Sequence, residues 1–402
     1  MNSSRTVIPT LLLSLLAPAA SGAANFAIIH SFNGSYPIGL THENGMIYGV
    51  SEADVSVGFE CGSVFELQPP VAAGDPWAIT TLYSFASAND ACIPVYAPVF
   101  GADGALYGVS ATGGSYNDGA VFQLRPPTSP GGAWTERIIS ELGAPGANIG
   151  FDVSPLIPGP GSSFYLLTSG GIHGWGGLLH LTPPSSPDGA WTTRLVYSFP
   201  AGTPADSLVA GPNGVLYGTT LYESAAGGLV FQLTPPTPPS KDWTYTVLYN
   251  LSSEQGVTLN ALTVAADGTI YGTTYGTSSY ASGPGTVFSL TPPVSPDGPW
   301  AYALLKSFGA NHPDQSLIVR DGNLYGAIAT AKGGAVFELR PPDVPGGEWT
   351  SNFLHGFTDG QVPGVALSGG AFTISSGGMI YGATQNIYSQ PADGTVYQIA
   401  TQ

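Results

Sequence analysis

Charge is scarce in this sequence. Asp, Glu, Lys and Arg make up 9% of its 402 residues, and only 9 of those are basic against 26 acidic. A chain with so little Lys and Arg, and a net charge of −17, repels phosphate backbones and anionic bilayers, so neither nucleic acid nor a membrane surface is expected as a partner. Specific catalytic signatures are missing as well: there is no Gly-x-Ser-x-Gly elbow, no HExxH or His-x-x-x-His zinc pair, and no phosphate-binding glycine loop. Neither a cofactor nor a metal is expected. Cysteine is limited to Cys61 and Cys92, with no CxxC spacing and no neighbouring His, which speaks against a redox or metal role.

Long apolar runs are absent beyond the first two dozen residues, and those read as a targeting segment. Arg5 supplies a positive start, Val7 to Leu16 an apolar run too short to span a bilayer comfortably, and Ala17 to Ala24 a small-residue stretch suited to cleavage. Residues 1–24 are therefore read as a signal peptide rather than a membrane anchor. The mature protein is expected to be a secreted, extracellular or periplasmic, monomer with no membrane contact. In that setting Cys61 and Cys92 are expected to form a disulfide.

What the sequence has in plenty is Gly (56), Pro (36), Tyr (20) and Phe (17), a mixture that suits short aromatic strands and tight turns and disfavours long helices. A Tyr-Gly step returns at Tyr48, Tyr107, Tyr217, Tyr271, Tyr325 and Tyr381, with Tyr165-Leu166 as a degenerate seventh, at spacings of 52 to 59 residues. Around each step four strands can be read. The first ends in an Asn-Gly or Asp-Gly turn such as Asp103-Gly104, and the second carries the Tyr-Gly step. The third is Gly-x-Val-Phe-x-Leu, closed by Pro-Pro. The fourth starts at a Trp (77, 134, 191, 243, 300 or 349) and ends eight residues later in an apolar residue. A period of this size built from strands predicts an all-β, seven-bladed β-propeller. The blade units fall at about 36–85, 86–142, 143–199, 200–251, 252–308, 309–357 and 358–402. The last unit stops after its third strand, whereas residues 25–32 (NFAIIHSF) are an orphan fourth strand. Closing the ring with that N-terminal strand removes two open sheet edges, and residues 25–402 are read as one domain.

The tandem LYGTT…GG…GTVFxLTPP pattern resembles the GloVer repeat of bacterial exported proteins, and the resemblance covers essentially all of residues 25–402. It implies the fold and export. Members often carry variable C-terminal sorting anchors, and the lack of one before Gln402 is read as favouring release. The resemblance carries no catalytic residues.

Residues that return in every unit are packing by default, so function is sought where a unit departs from the pattern. Blade three departs most, with Tyr165-Leu166 for Tyr-Gly, Leu178-Leu179 for Val-Phe, and a loop holding His173 and the off-pattern Trp175. Loops after second and fourth strands emerge on one face, and there the sequence places His173, Trp175, Asp152, Tyr222, Glu223, Tyr280, His312 and Asp314 as ligand-binding candidates. Rings interleaved with carboxylates and hydroxyls suit sugars, which stack on an aromatic face and bond through their hydroxyls. The expected function is a binding module for an extracellular polysaccharide or another extracellular ligand. Two alternatives stand beside it: a polysaccharide lyase or glycoside hydrolase acting at the channel mouth, and a structural or protein-interaction scaffold. These same residues also read plainly as ordinary loop polars around a degenerate blade.

Overall fold

The computed structural model describes residues 26–52, 61–86, 90–129, 131–144, 154–186, 188–200, 205–220, 228–252, 254–255, 262–274, 285–295, 298–309, 311–313, 317–330, 333–344, 346–357, 366–386 and 393–401. The chain is a seven-bladed β-propeller, each blade an antiparallel meander. Blade one comprises Tyr36–Glu43, Met46–Glu52, Ser63–Gln68 and Ala78–Ser84. Blade two has its first strand split into Ala91–Pro94 and Val99–Phe100, followed by Leu106–Gly113, Ala120–Arg125 and Thr135–Glu141. Blade three runs through Ile157–Pro158, Phe164–Thr168, Gly177–Thr182 and Thr192–Ser198. Blades four, five and six continue the order through outer strands Thr244–Asn250, Ala301–Ser307 and Thr350–Gly356.

The seventh blade is completed as the sequence predicts. Ala366–Ile374, Met379–Asn386 and Asp393–Ala400 are followed in the sheet by Phe26–Asn33, which pairs antiparallel with the last of them from Phe26↔Ile399 to Asn33↔Asp393. The N-terminal strand also carries the mark of every other fourth strand, a bulge that inserts one aliphatic residue. Register slips around Leu82, Ile139, Val196, Leu248, Leu305, Leu354 and, in the N-terminal strand, Ile29. Each inserted side chain joins one of the seven apolar clusters between blades, so the bulge turns the edge strand into the seam.

Packing within a blade explains the Tyr-Gly step. The glycine lies directly across the ladder from the Phe of Val-Phe, as in Gly49↔Phe65, Gly108↔Phe122 and Gly272↔Phe288. A Cβ on Gly108 would meet Phe122 Cζ at 2.3 Å, so the ring fills the space that the glycine leaves. Blade three holds Leu166↔Leu179 at the same pair. Its two departures are one compensated exchange: a side chain is added on the second strand and the ring opposite is cut back to leucine, and both remain fully buried.

Cys61 and Cys92 form the expected disulfide, tying the entry to the third strand of blade one to the first strand of blade two with a Cα–Cα separation of 4.5 Å. No helix among the described residues is long and apolar enough to cross a membrane. The disulfide is consistent with an extracellular or periplasmic protein. Residues 1–24 lie outside the described residues.

Candidate functional site

The seams between blades are where polar chemistry gathers. In all seven blades the Tyr of the Tyr-Gly step pairs across the ladder with the variable residue of Val-Phe-x-Leu: Glu66, Gln123, His180, Gln232, Ser289, Glu338 and Gln398. In blades two and six the polar partner bonds the tyrosine hydroxyl, Gln123 Nε2 donating to Tyr107 and the Tyr325 hydroxyl donating to Glu338 Oε1 at 2.9 Å. Against the same Tyr comes the Trp that opens the fourth strand of the next blade, edge to face, in Tyr381–Trp77, Tyr107–Trp191, Tyr165–Trp243, Tyr217–Trp300 and Tyr271–Trp349. The first of these pairs crosses from blade seven to blade one.

Between blades two and three this arrangement opens into a groove of about 580 Å³. Blade two supplies the hairpin Gly101–Ala105, Tyr107, Gln123 and Arg125; blade three supplies Ser162, Pro183 to Ser186, and Trp191. The polar wall is a connected network. The Tyr107 hydroxyl donates to Asp103 Oδ2 at 2.8 Å, while Gln123 Nε2 donates to the same carboxylate oxygen at 3.0 Å and to the Tyr107 oxygen at 2.7 Å. Ala105 N–H donates to Asp103 Oδ1 at 3.2 Å. Arg125 Nε donates to Gln123 Oε1 at 3.2 Å, and its Nη1 pairs with the exposed Asp188 at 3.0 Å. Burial and the bond to Asp103 push the Tyr107 hydroxyl well above its ordinary value, so it stays a donor at any physiological pH.

The apolar wall is Trp191, held at 5.6 Å from Tyr107 and 6.0 Å from Phe164, with Pro183 and Pro184 beside it. Gly101 is required here by close approach: a Cβ would stand 2.4 Å from the Tyr107 ring and 2.6 Å from Asp103 Oδ1. The groove therefore joins a half-buried indole and a hydrogen-bonded, exposed carboxylate in one lining, a mixture found in ligand sites of about 300–1,000 Å³.

This groove lies on the face made by loops after first and third strands, opposite the face to which the sequence candidates belong. Of those candidates, Asp152, Tyr222, Glu223, Tyr280 and Asp314 lie outside the described residues. His173 is exposed and Trp175 half-buried in the loop between the second and third strands of blade three, and His312 sits on the first strand of blade six opposite Ala329. Among the described residues no hydrogen bond or ring contact joins His173 or Trp175 to a carboxylate. Sequence reasoning passed over Asp103, Tyr107 and Trp191 because each occupies a position that recurs as blade architecture. The available signal was the pair Gln123 and Arg125 in blade two, where other third strands carry combinations such as Gln232 and Thr234 or Ser289 and Thr291.

One further carboxyl is unusual. Glu136, on the outer strand of blade two, is pushed up to about 7 by burial first and then by the neighbouring Asp90 and Glu141, against a bond from the Ala91 N–H. Its Oε1 is shielded from solvent without a hydrogen-bond partner among the described residues.

No curated protein matches the chain by sequence. Among solved structures, the polysaccharide lyase Uly1 aligns over 91% of this chain and 90% of its own at a TM-score of 0.55 and 8% identity. A protein from Lactobacillus plantarum aligns over 79% of this chain and 88% of its own at a TM-score of 0.50 and 14% identity. At such identities these likenesses speak for the fold alone. The Gloeobacter/Verrucomicrobia repeat model matches residues 152–397, more than half of the chain, and the chain belongs to this repeat family.

Proposed function

We propose that this chain is a carbohydrate-binding β-propeller acting outside the cytoplasm, with the groove between blades two and three as its binding site. The observation that carries this reading is the confrontation of Trp191 with the Asp103–Tyr107–Gln123–Arg125 network across about 580 Å³. A sugar ring has an apolar face that stacks on indole and a rim of hydroxyls that donate to carboxylate and accept from guanidinium, which are the groups present. The polysaccharide lyase with the same fold lends no residues to this site. A glycoside hydrolase would use two carboxylates facing one bond, and here Asp188 is turned towards Arg125 while Asp103 holds three protein donors. Binding rather than turnover is therefore the function this geometry supports.

Affinity electrophoresis of the purified protein in gels containing a broad panel of polysaccharides tests the proposal. Retardation by at least one polymer is expected, with a loss of about tenfold or more in Arg125→Ala, in line with removal of a charge-assisted hydrogen-bond donor. A protein that migrates unchanged through every polymer defeats the reading.

A further inference from the structure

We infer that the groove takes a neutral sugar chain and rejects uronic-acid and sulfated polymers, an inference that rests on the carbohydrate reading of the same site. The charges decide it. Arg125 is the one cation among the described residues of the lining, and two of its donors are engaged by the protein itself, through Nη1 to Asp188 and through Nε to Gln123. Arg137, the other cation at this seam, donates to the Gly189 carbonyl at 2.6 Å. Against them stand the carboxylates of Asp103 and Asp188, on a chain whose net charge is −17. A carboxylate or sulfate entering the groove would meet Asp103 and Asp188 with a single lining guanidinium to set against the two carboxylates, and like charges at that range repel.

A neutral ring meets no such penalty. Asp103 is exposed, and with Tyr107 and Gln123 on Oδ2 and the Ala105 N–H on Oδ1 its carboxylate keeps room on Oδ1 for one sugar hydroxyl to donate. Tyr107 and Gln123 hold that carboxylate in place before any ligand arrives, which lowers the ordering cost of binding. Across the groove Ser162 and Ser186 present hydroxyls that either donate or accept, and Trp191 with Pro183 and Pro184 receives the C–H face of the ring. None of these groups selects for charge.

The test uses the whole protein and an exchange of Asp103→Asn, which keeps an amino acid equally suited to the Asp-Gly hairpin while removing the charge. Xylan, galactomannan and a mixed-linkage glucan serve as neutral probes; polygalacturonate, alginate and chondroitin sulfate serve as anionic ones. Binding to at least one neutral polymer, at least tenfold tighter than to any anionic one at low salt, is the expected result. D103N should weaken that binding several-fold. The Trp191 indole N–H resonance, assigned by its loss in Trp191→Phe, should shift on titration with oligosaccharides of the bound polymer. Preference for the anionic probes, or tighter binding by D103N, overturns the neutral-ligand inference and leaves the carbohydrate reading standing. Failure to bind any of the six probes or any polymer of a broader panel overturns both. Neutral binding that neither D103N nor the Trp191 signal registers places the sugar elsewhere and overturns the inference for this groove.

Discussion

At the scale of single residues, Glu136 is the group with the clearest consequence. Its carboxyl is raised from the ordinary range to about 7, so the folded protein favours the protonated form while the unfolded chain ionises near pH 4.5. The associated stability is complete below pH 4.5 and is lost as pH rises through 7. Glu136→Gln should remove that contribution: the stability of the wild type relative to the variant should fall between pH 5 and 8, other titrating groups being common to both, and at pH 8 the variant should be the more stable by about 2 kcal/mol. Thermal melts at half-unit pH steps would settle it, and parallel slopes for the two proteins would assign the burial of Glu136 no energetic weight. Nothing in the sequence around Glu136 announces this environment. It arises because the link carrying Asp90 and Ala91 passes from blade one over the outer strand of blade two, a contact between residues more than forty positions apart in sequence.

Among elements, the blade is a unit whose second and third strands are matched at one position, and blade three shows how the match is kept. Leu166→Gly alone should leave a hole opposite Leu179, and Leu179→Phe alone should drive a ring into Leu166; each is expected to cost about 2–4 kcal/mol. Together they rebuild the glycine–phenylalanine pair of the other blades, and the double variant should recover most of the loss. A double-mutant cycle by denaturant unfolding reads the coupling, and strictly additive losses would contradict the packing account. The sequence showed both departures from the pattern, and it made blade three the place to look for function. Only the register, which sets residue 166 directly across from 179, shows that they are one packing event.

The groove was illegible for the opposite reason. Its Trp, Tyr and Asp-Gly turn are the same residue types that build every blade, and which seam stands open depends on how two successive blades meet. Blade six illustrates the point. There Arg340 bonds Glu338, and Arg320 reaches across to the carbonyls of Ser375 and Ser376 in blade seven, so the same seam is bridged by side chains. A scan of repeats finds what recurs; it is blind to a site made from recurring parts.

The whole molecule is a ring held shut by its first strand, and this much was plain from the sequence because the missing fourth strand of the last unit and the orphan at residues 25–32 matched. Periodicity is a property of the chain, and closure follows from counting strands. Removal of residues 25–33 should expose Asp393–Ala400 as a bare edge and uncover Tyr397, which is buried against Phe26 and Phe357. We expect the melting temperature to drop by more than about 10 °C and the shortened protein to associate at lower concentrations than the full chain does. Calorimetry and size-exclusion chromatography would show it. An unchanged melting temperature would mean that the ring does not depend on this strand.

Phe26 meets Ile399, a partner 373 positions away. For a chain that emerges from the ribosome amino end first, the earliest strand of the fold must wait for the latest. Six blades can settle one after another on contacts with recent neighbours, but the ladder of Phe26–Asn33 has nothing to pair with until residues 393–400 have been made. The joint thus acts as a proof of completeness. A chain broken off short of residue 393 keeps a raw edge and an unclaimed strand, the features by which proteases and chaperones recognise unfinished protein.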